Sequence, residues 1–240
     1  MSYDSNNRWS ANANTAIPQV GIDVGLRNYM LRVYNYMAGG LALTGVVAYI
    51  AAATGFYQAI ASTALIWVVI FAPIGLVLLL SARLNSMSLG AAQATFWVFA
   101  GLMGLSLSSL FLAYTGASIA EVFFITAATF LSMSLYGYTT KTDLSRFGSF
   151  LMMGLIGVVI ASVVNIFMHS AAIQFAISII GVLVFTGLTA WDTQRIKETY
   201  WEGDEAVVAG KKAIMGALAL YLDFINLFVM LMQLMGNRRN

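Results

Sequence analysis

Apolar residues run along this chain in seven long blocks, separated by short polar breaks. A helix crosses the hydrocarbon core of a bilayer with about 20 apolar residues. The blocks at 33–54, 62–82, 91–114, 118–139, 148–168, 172–192 and 213–235 meet that length. TGFYQAIAS, RLNSMSLG, TGAS, TKTDLSRFG and MHSAA each close one block and open the next. The sixth connection, near 193–212, is predicted to be longer and carries ETYWEGDEAVVAGKK. No internal repeat or domain-length insertion interrupts the series. The pattern predicts an all-α, polytopic membrane protein over residues 28–236. Residues 1–27 are mostly polar and read as a disordered cytoplasmic tail rather than a signal peptide. Pro73 in the second block predicts a kink.

The basic residues give these blocks a direction. Arg8, Arg27 and Arg32 flank the first block, and Arg83 lies in the second connection. Lys141 and Arg146 lie in the fourth, and Arg195, Lys197, Lys211 and Lys212 in the sixth. The first, third and fifth connections have no Lys or Arg. Cytoplasmic loops carry the Lys/Arg excess, so the amino terminus is predicted inside and, after seven crossings, the carboxyl terminus outside. Arg238 and Arg239 oppose this weakly. The rival topology has a seventh block that enters and returns on one side.

Composition narrows the chemistry. Of 240 residues, 60% are hydrophobic and only 9% charged, against about one quarter charged in soluble domains. There is no cysteine and a single histidine, His169, so thiol chemistry and histidine-rich metal sites are excluded. No phosphate-binding loop, dinucleotide fingerprint or HExxH motif occurs. No tightly bound cofactor and no nucleic-acid partner is expected.

Two aspartates stand out against this background. Asp192 ends the sixth block in FTGLTAWDTQRIK, and Asp223 lies inside the seventh in ALALYLDFINLFVMLMQL. A carboxylate at the bilayer centre costs about 2.5–3.5 kcal/mol on insertion scales, and such groups face protein or water and mark ion or proton pathways. Gly216, Ala219, Asp223, Asn226, Met230 and Gln233 recur at steps of three and four and share one face of the seventh helix. That face belongs against other helices, and the opposite Leu/Phe face can meet lipid. The seventh helix is therefore expected to be central. Ser178, Gly181, Phe185, Thr189 and Asp192 make a similar face on the sixth block.

If the sixth and seventh helices pack antiparallel, the two carboxylates can approach each other. They could not then both ionise cheaply, and a shared proton would make the pair a pH-sensitive element. Deprotonated, Asp192 and Asp223 would offer two hard oxygen ligands suited to calcium. Two plainer readings stand beside this one. Asp192 could be an interfacial residue neutralised by Arg195, and Asp223 could be a hydrogen-bonding group for helix packing.

Other polar positions carry alternatives too. Arg83 either pairs with Asp192 or snorkels to head groups. Glu121, early in the fourth block, either lines an outer vestibule for cations or is a carboxylate favoured near a helix N-terminus. Thr189 and Asn226 are supporting polar residues. Gly101, Gly104 and Ser108 form a small-residue face suited to close helix contact.

At the aspartate motifs the chain resembles the Bax inhibitor-1 family, also called the transmembrane BAX inhibitor motif family. The resemblance rests on FTGLTAWDTQRIK (185–197), on ALALYLDFINLFVMLMQL (217–234), and less strongly on KTDLSRFGSF. It implies a seven-helix bundle with the last helix in the middle and a pH-sensitive calcium leak. It also implies a paired-aspartate sensor at Asp192 and Asp223, a latching arginine at Arg83 and the family's early fourth-helix glutamate at Glu121. A bacterial inner-membrane location follows from the same resemblance, since the polar tail offers no targeting signal.

Competing classes fit less well. Intramembrane aspartyl proteases resemble a YD and GxGD pairing with a later PAL, whereas WD and YLD stand here and no PAL follows. A retinal-type pump needs a lysine deep in the seventh span, and none follows Lys212. The expectation is a non-enzyme whose partners are the lipid bilayer, protons and calcium as permeant ion. The alternative is a regulatory protein that modulates a membrane protease or a stress response.

Overall fold

The computed structural model describes residues 23–239. The proposed tail therefore lies outside the described residues, apart from positions 23–27. Eight helices follow in order: α1 (Val24–Ala53), α2 (Phe56–Ala61), α3 (Leu65–Arg83), α4 (Leu89–Ala113), α5 (Gly116–Thr139), α6 (Ser145–Met168), α7 (Ala171–Thr199) and α8 (Ala206–Met235). All but α2 are long and apolar enough to cross a membrane. α2 lies within the first connection, entered through Gly55, whose φ of 75° is the left-handed conformation that glycine adopts freely.

Several helices outrun their apolar blocks. α1 starts at Val24 instead of 33, because Asp23 accepts a hydrogen bond from the Leu26 N–H and caps the helix. α7 runs past Asp192 to Thr199, and α8 begins at Ala206. The sixth connection is thus only 200–205, not the long 193–212 predicted. Hydropathy marks where a helix leaves hydrocarbon, whereas the backbone ladder continues for as long as caps and packing support it. Here Lys212 Nζ closes the turn, bonding the Thr199 carbonyl at 3.1 Å and Asp204 Oδ2 at 2.6 Å. α3 remains helical through Pro73.

α8 is the hub. It packs against α1, α3, α4, α5 and α7, and 61% of its apolar window is buried, against 33% or less for every other span. The expected central seventh span is observed, but the expected lipid-facing side of it is not. Ala213, Ile214, Leu220, Tyr221 and Leu227 are fully buried alongside Asp223. With five neighbours, both the Leu/Phe side and the small-polar side of α8 meet protein. The most lipid-exposed spans are α3 and α6, where Trp67, Phe71, Ile74, Phe150, Ile160 and Phe167 are exposed.

Small residues set the closest approaches. A Cβ on Gly137 would collide with the Ala190 backbone carbonyl, so α5 and α7 touch backbone to backbone. Gly104 sits 2.7 Å, measured from an ideal Cβ, from the Thr44 carbonyl oxygen, closing α4 onto α1, whereas Gly101 has open space around it. Of the predicted small-residue face, Gly104 and buried Ser108 do the packing. At the carboxyl end, the chain after α8 bridges Tyr114 through Arg238 and is held by Thr115 N–H to the Asn237 carbonyl.

Candidate functional site

Antiparallel packing of α7 on α8 builds the site. Ser178 Oγ donates to Gln233 Oε1 at 2.9 Å, Gly181 lies against Met230, and Gly216 against Ile196. This register sets Asp192 level with Ala219 and Leu220, about one turn short of Asp223. In a helix the Cα–Cβ bonds tilt toward the N-terminus. On antiparallel helices they tilt oppositely, so Asp192 leans toward Asp223 and Asp223 leans back. The two carboxyl groups lie within hydrogen-bonding reach of each other.

Their surroundings differ. Asp223 is 5% exposed and its Oδ2 has no hydrogen-bond partner among the described residues. It lies roughly 25 Å along α8 from Ala206 at ~1.5 Å per residue, well inside the bundle. Asp192 is partly shielded, and its nearest cation is Arg195 one turn on, with Nη1 3.8 Å from Oδ1 and a largely exposed side chain. Arg195 also lies 5.4 Å from the Trp191 ring centroid. The distance to Asp192 is long for an ion pair and the arginine is wet, so it neutralises Asp192 only weakly. Among the described residues no cation forms an ion pair with Asp223. A carboxylate only accepts hydrogen bonds, so one carboxyl of this pair must carry the proton for a bond to join them.

The other predicted residues stand apart from the pair. Arg83 is exposed at the last turn of α3, and its side chain makes no ion pair or hydrogen bond among the described residues. The Arg83–Asp192 contact expected from a latch is not formed in this conformation; the basic neighbour of Asp192 is Arg195. α3 packs chiefly on α4, with α8 at its edge, which keeps Arg83 off α7. Glu121 is exposed in the second turn of α5 and is likewise unpaired among the described residues. Thr189 and Asn226 bond to their own helices, Thr189 Oγ1 to the Phe185 carbonyl and Asn226 Nδ2 to the Leu222 carbonyl, each at 2.8 Å. They satisfy themselves rather than the aspartates.

Asp192 and Asp223 are the two carboxylates the described residues bring together for a calcium ion. Calcium takes six to eight oxygens, and no group of three or more acidic or histidine side chains gathers among the described residues. Two carboxylates suit an ion in passage, with water completing its shell.

Hydrophobic and hydroxyl neighbours frame the pair, and sequence reading missed them. Phe224 lies against Phe123 and Phe130 with ring centroids 5.5 and 5.6 Å apart, and Phe228 against Phe123 at 6.4 Å. These rings fill the bundle on the Met235 side of Asp223. Beside Asp192, the Thr193 hydroxyl accepts from Ser134 at 3.0 Å, which accepts from Tyr34 at 2.6 Å. That chain ties α1 to α5 to α7. Its members are separated by 100 and 59 positions, so no local spacing announces it. Tyr221 and Thr44 make a comparable tie between α8 and α1 at 2.7 Å.

Comparison with known proteins agrees with this architecture. The family described as inhibitor of apoptosis-promoting Bax1 matches residues 26–240. An uncharacterized protein of Rickettsia prowazekii is 52% identical, over 91% of this chain and 93% of its own length. The inner membrane protein YbhL of Escherichia coli is 48% identical over 90% and 94%. An uncharacterized membrane protein of Streptococcus pyogenes is 36% identical over 89% and 94%. A multi-pass helical membrane protein matched over nearly its whole length by that family, this chain belongs to the Bax inhibitor-1 family.

Proposed function

We propose that this protein is a pH-sensitive calcium leak channel of the bacterial inner membrane, with its amino terminus in the cytoplasm and its carboxyl terminus outside. The carrying observation is the contact of Asp192 with Asp223 on antiparallel helices, with Asp223 Oδ2 buried and unpartnered. With one proton shared, the pair bonds α7 to α8 across the bundle. When that proton leaves, two like charges face each other where little water screens them. Their repulsion loosens the α7–α8 contact, and the two carboxylates attract a divalent cation. The Phe123, Phe224 and Phe228 rings must then shift for an ion to pass. Calcium is cargo in this reading, no cofactor is held, and the chain is not an enzyme.

The location rests on the basic connections and on the similarity to an inner membrane protein. Calcium entry into proteoliposomes, followed across pH, tests the function. Wild-type protein should show a pH-dependent leak, and Asp223→Asn, which keeps the shape and removes the titration, should lose the pH response. Asp223→Asn with an unaltered profile places the gate elsewhere. Absence of flux from folded wild-type protein favours the regulatory role on a membrane protease instead.

A further inference from the structure

α1 and α5 both rest on α7 and α8, and between them lies a cleft of about 710 Å³. Its walls are apolar, from Leu26, Met30, Leu31, Leu131 and Leu135. Leu131 and Leu135 are each 63% exposed, so the cleft opens sideways from the bundle. Its floor is Tyr34 and Ser134, whose hydroxyls are already bonded to each other. Its charged groups gather at one end, the end of the basic connections. These are Arg27 on α1, Lys197 on α7 and the carboxylate of Asp23.

Asp23 is committed to capping α1, accepting from the Leu26 N–H at 2.9 Å. Lys197 Nζ spends one donor on the Tyr138 carbonyl at 2.8 Å and lies 5.2 Å from the Tyr138 ring centroid. An ammonium has three donors and a guanidinium five. Donors therefore remain at the mouth, with net positive charge. A charged head at the level of the basic connections and an apolar slot running toward the bilayer centre match one class of molecule in orientation as well as in charge. Basic pockets between transmembrane helices on the cytoplasmic side hold anionic head groups, and the volume lies within the range of small-molecule sites.

We propose that the α1–α5 cleft binds one anionic phospholipid, its phosphate held by Arg27 and Lys197 and an acyl chain lying along Leu31, Leu131 and Leu135. The site is separate from the aspartate pair and does not depend on ion conduction.

The test is native mass spectrometry of the full-length protein after incubation in equal phosphatidylglycerol and phosphatidylethanolamine. Wild-type protein should retain a single phosphatidylglycerol through detergent that strips the annular shell. Arg27→Gln and Lys197→Gln should each lower the preference for phosphatidylglycerol about fivefold, the worth of one basic residue near an anionic surface. Leu135→Trp should fill the slot and remove the retained lipid. Ile160→Trp, on the exposed face of α6, should leave it in place. Retention by Leu135→Trp at the wild-type level overturns the proposal, as does equal binding of the two lipids or no retained lipid. Lipid retained only after deletion of residues 2–22 overturns it too, assigning the cleft to the chain's own amino-terminal segment. Should Leu135→Trp not fold, an unchanged preference in both Arg27→Gln and Lys197→Gln overturns the proposal by itself.

Discussion

Removing the Thr44 hydroxyl should cost more than removing the Tyr221 hydroxyl, and removing both should cost less than removing Thr44 alone. Thr44 is 3% exposed and Tyr221 is fully buried. Thr44 Oγ1 donates to the Ala100 carbonyl at 2.8 Å, so its single proton is spent, and Tyr221 must donate to Thr44 across 2.7 Å. Thr44→Val therefore leaves a buried phenolic hydroxyl without an acceptor, a penalty of about 1–3 kcal/mol. Tyr221→Phe deletes one hydrogen bond and leaves Thr44 satisfied by Ala100, a loss of roughly 0.5–1.5 kcal/mol. The double variant replaces both partners by apolar groups of similar shape and avoids the orphaned donor. The coupling in this cycle should be on the order of 1 kcal/mol, within the ~0.6–1.7 kcal/mol found for hydrogen bonds between membrane helices. Reversible unfolding in mixed micelles, followed by far-ultraviolet circular dichroism, gives the four stabilities. Additive single-variant costs, or Thr44→Val milder than Tyr221→Phe, would refute the reasoning. The pair also fixes the rotation of α8 two residues before Asp223. In the proposed channel a folded double variant should keep the wild-type pH response of calcium flux, since the aromatic ring still sets that rotation.

Other outcomes follow from named contacts. Gly137→Ala should destabilise by about 1–3 kcal/mol, because the new methyl meets the Ala190 carbonyl. Gly101→Ala, with open space around it, should be neutral or stabilise by up to ~1 kcal/mol; thermal unfolding of the two separates them. If the proposed leak is present, Arg195→Ala should shift its pH response more than Arg83→Ala, because Arg195 is the cation beside Asp192; the opposite ranking in liposome flux would return the latch to Arg83. Hydrogen bonds from the Ser145 hydroxyl and backbone N–H hold the Asp143 carboxyl below its usual range, at the entry to α6. A depressed folded-state value stabilises above the unfolded value and is lost as pH falls through the folded one. Asp143→Ala should therefore reduce the drop in melting temperature between neutral and acid pH. Reporter fusions after Ser10 and Asn240 should report opposite compartments; a shared compartment would defeat the seven-crossing orientation.

What the chain alone determined follows from the bilayer as solvent. Twenty-residue apolar blocks have one stable form in hydrocarbon, so the seven spans were legible, as was the family resemblance at the WD and YLD motifs. Asp223 was conspicuous for the same reason, since a carboxylate in an apolar block has few permitted environments. Tertiary structure decided everything that depends on which helices touch. It set the register that leans Asp192 and Asp223 together, and it surrounded α8 so completely that its Leu/Phe face is protein core. It kept Arg83 on α3 away from Asp192, which left Arg195, the neighbour one turn on that spacing alone had offered, as the cation beside it. It joined Tyr34, Ser134 and Thr193 across three helices, and it left the cleft between α1 and α5. Hydropathy measures a segment's preference for lipid over water, and a buried helix face and a lipid face are equally apolar. Only packing distinguishes them, and packing is a property of residue pairs far apart in the chain.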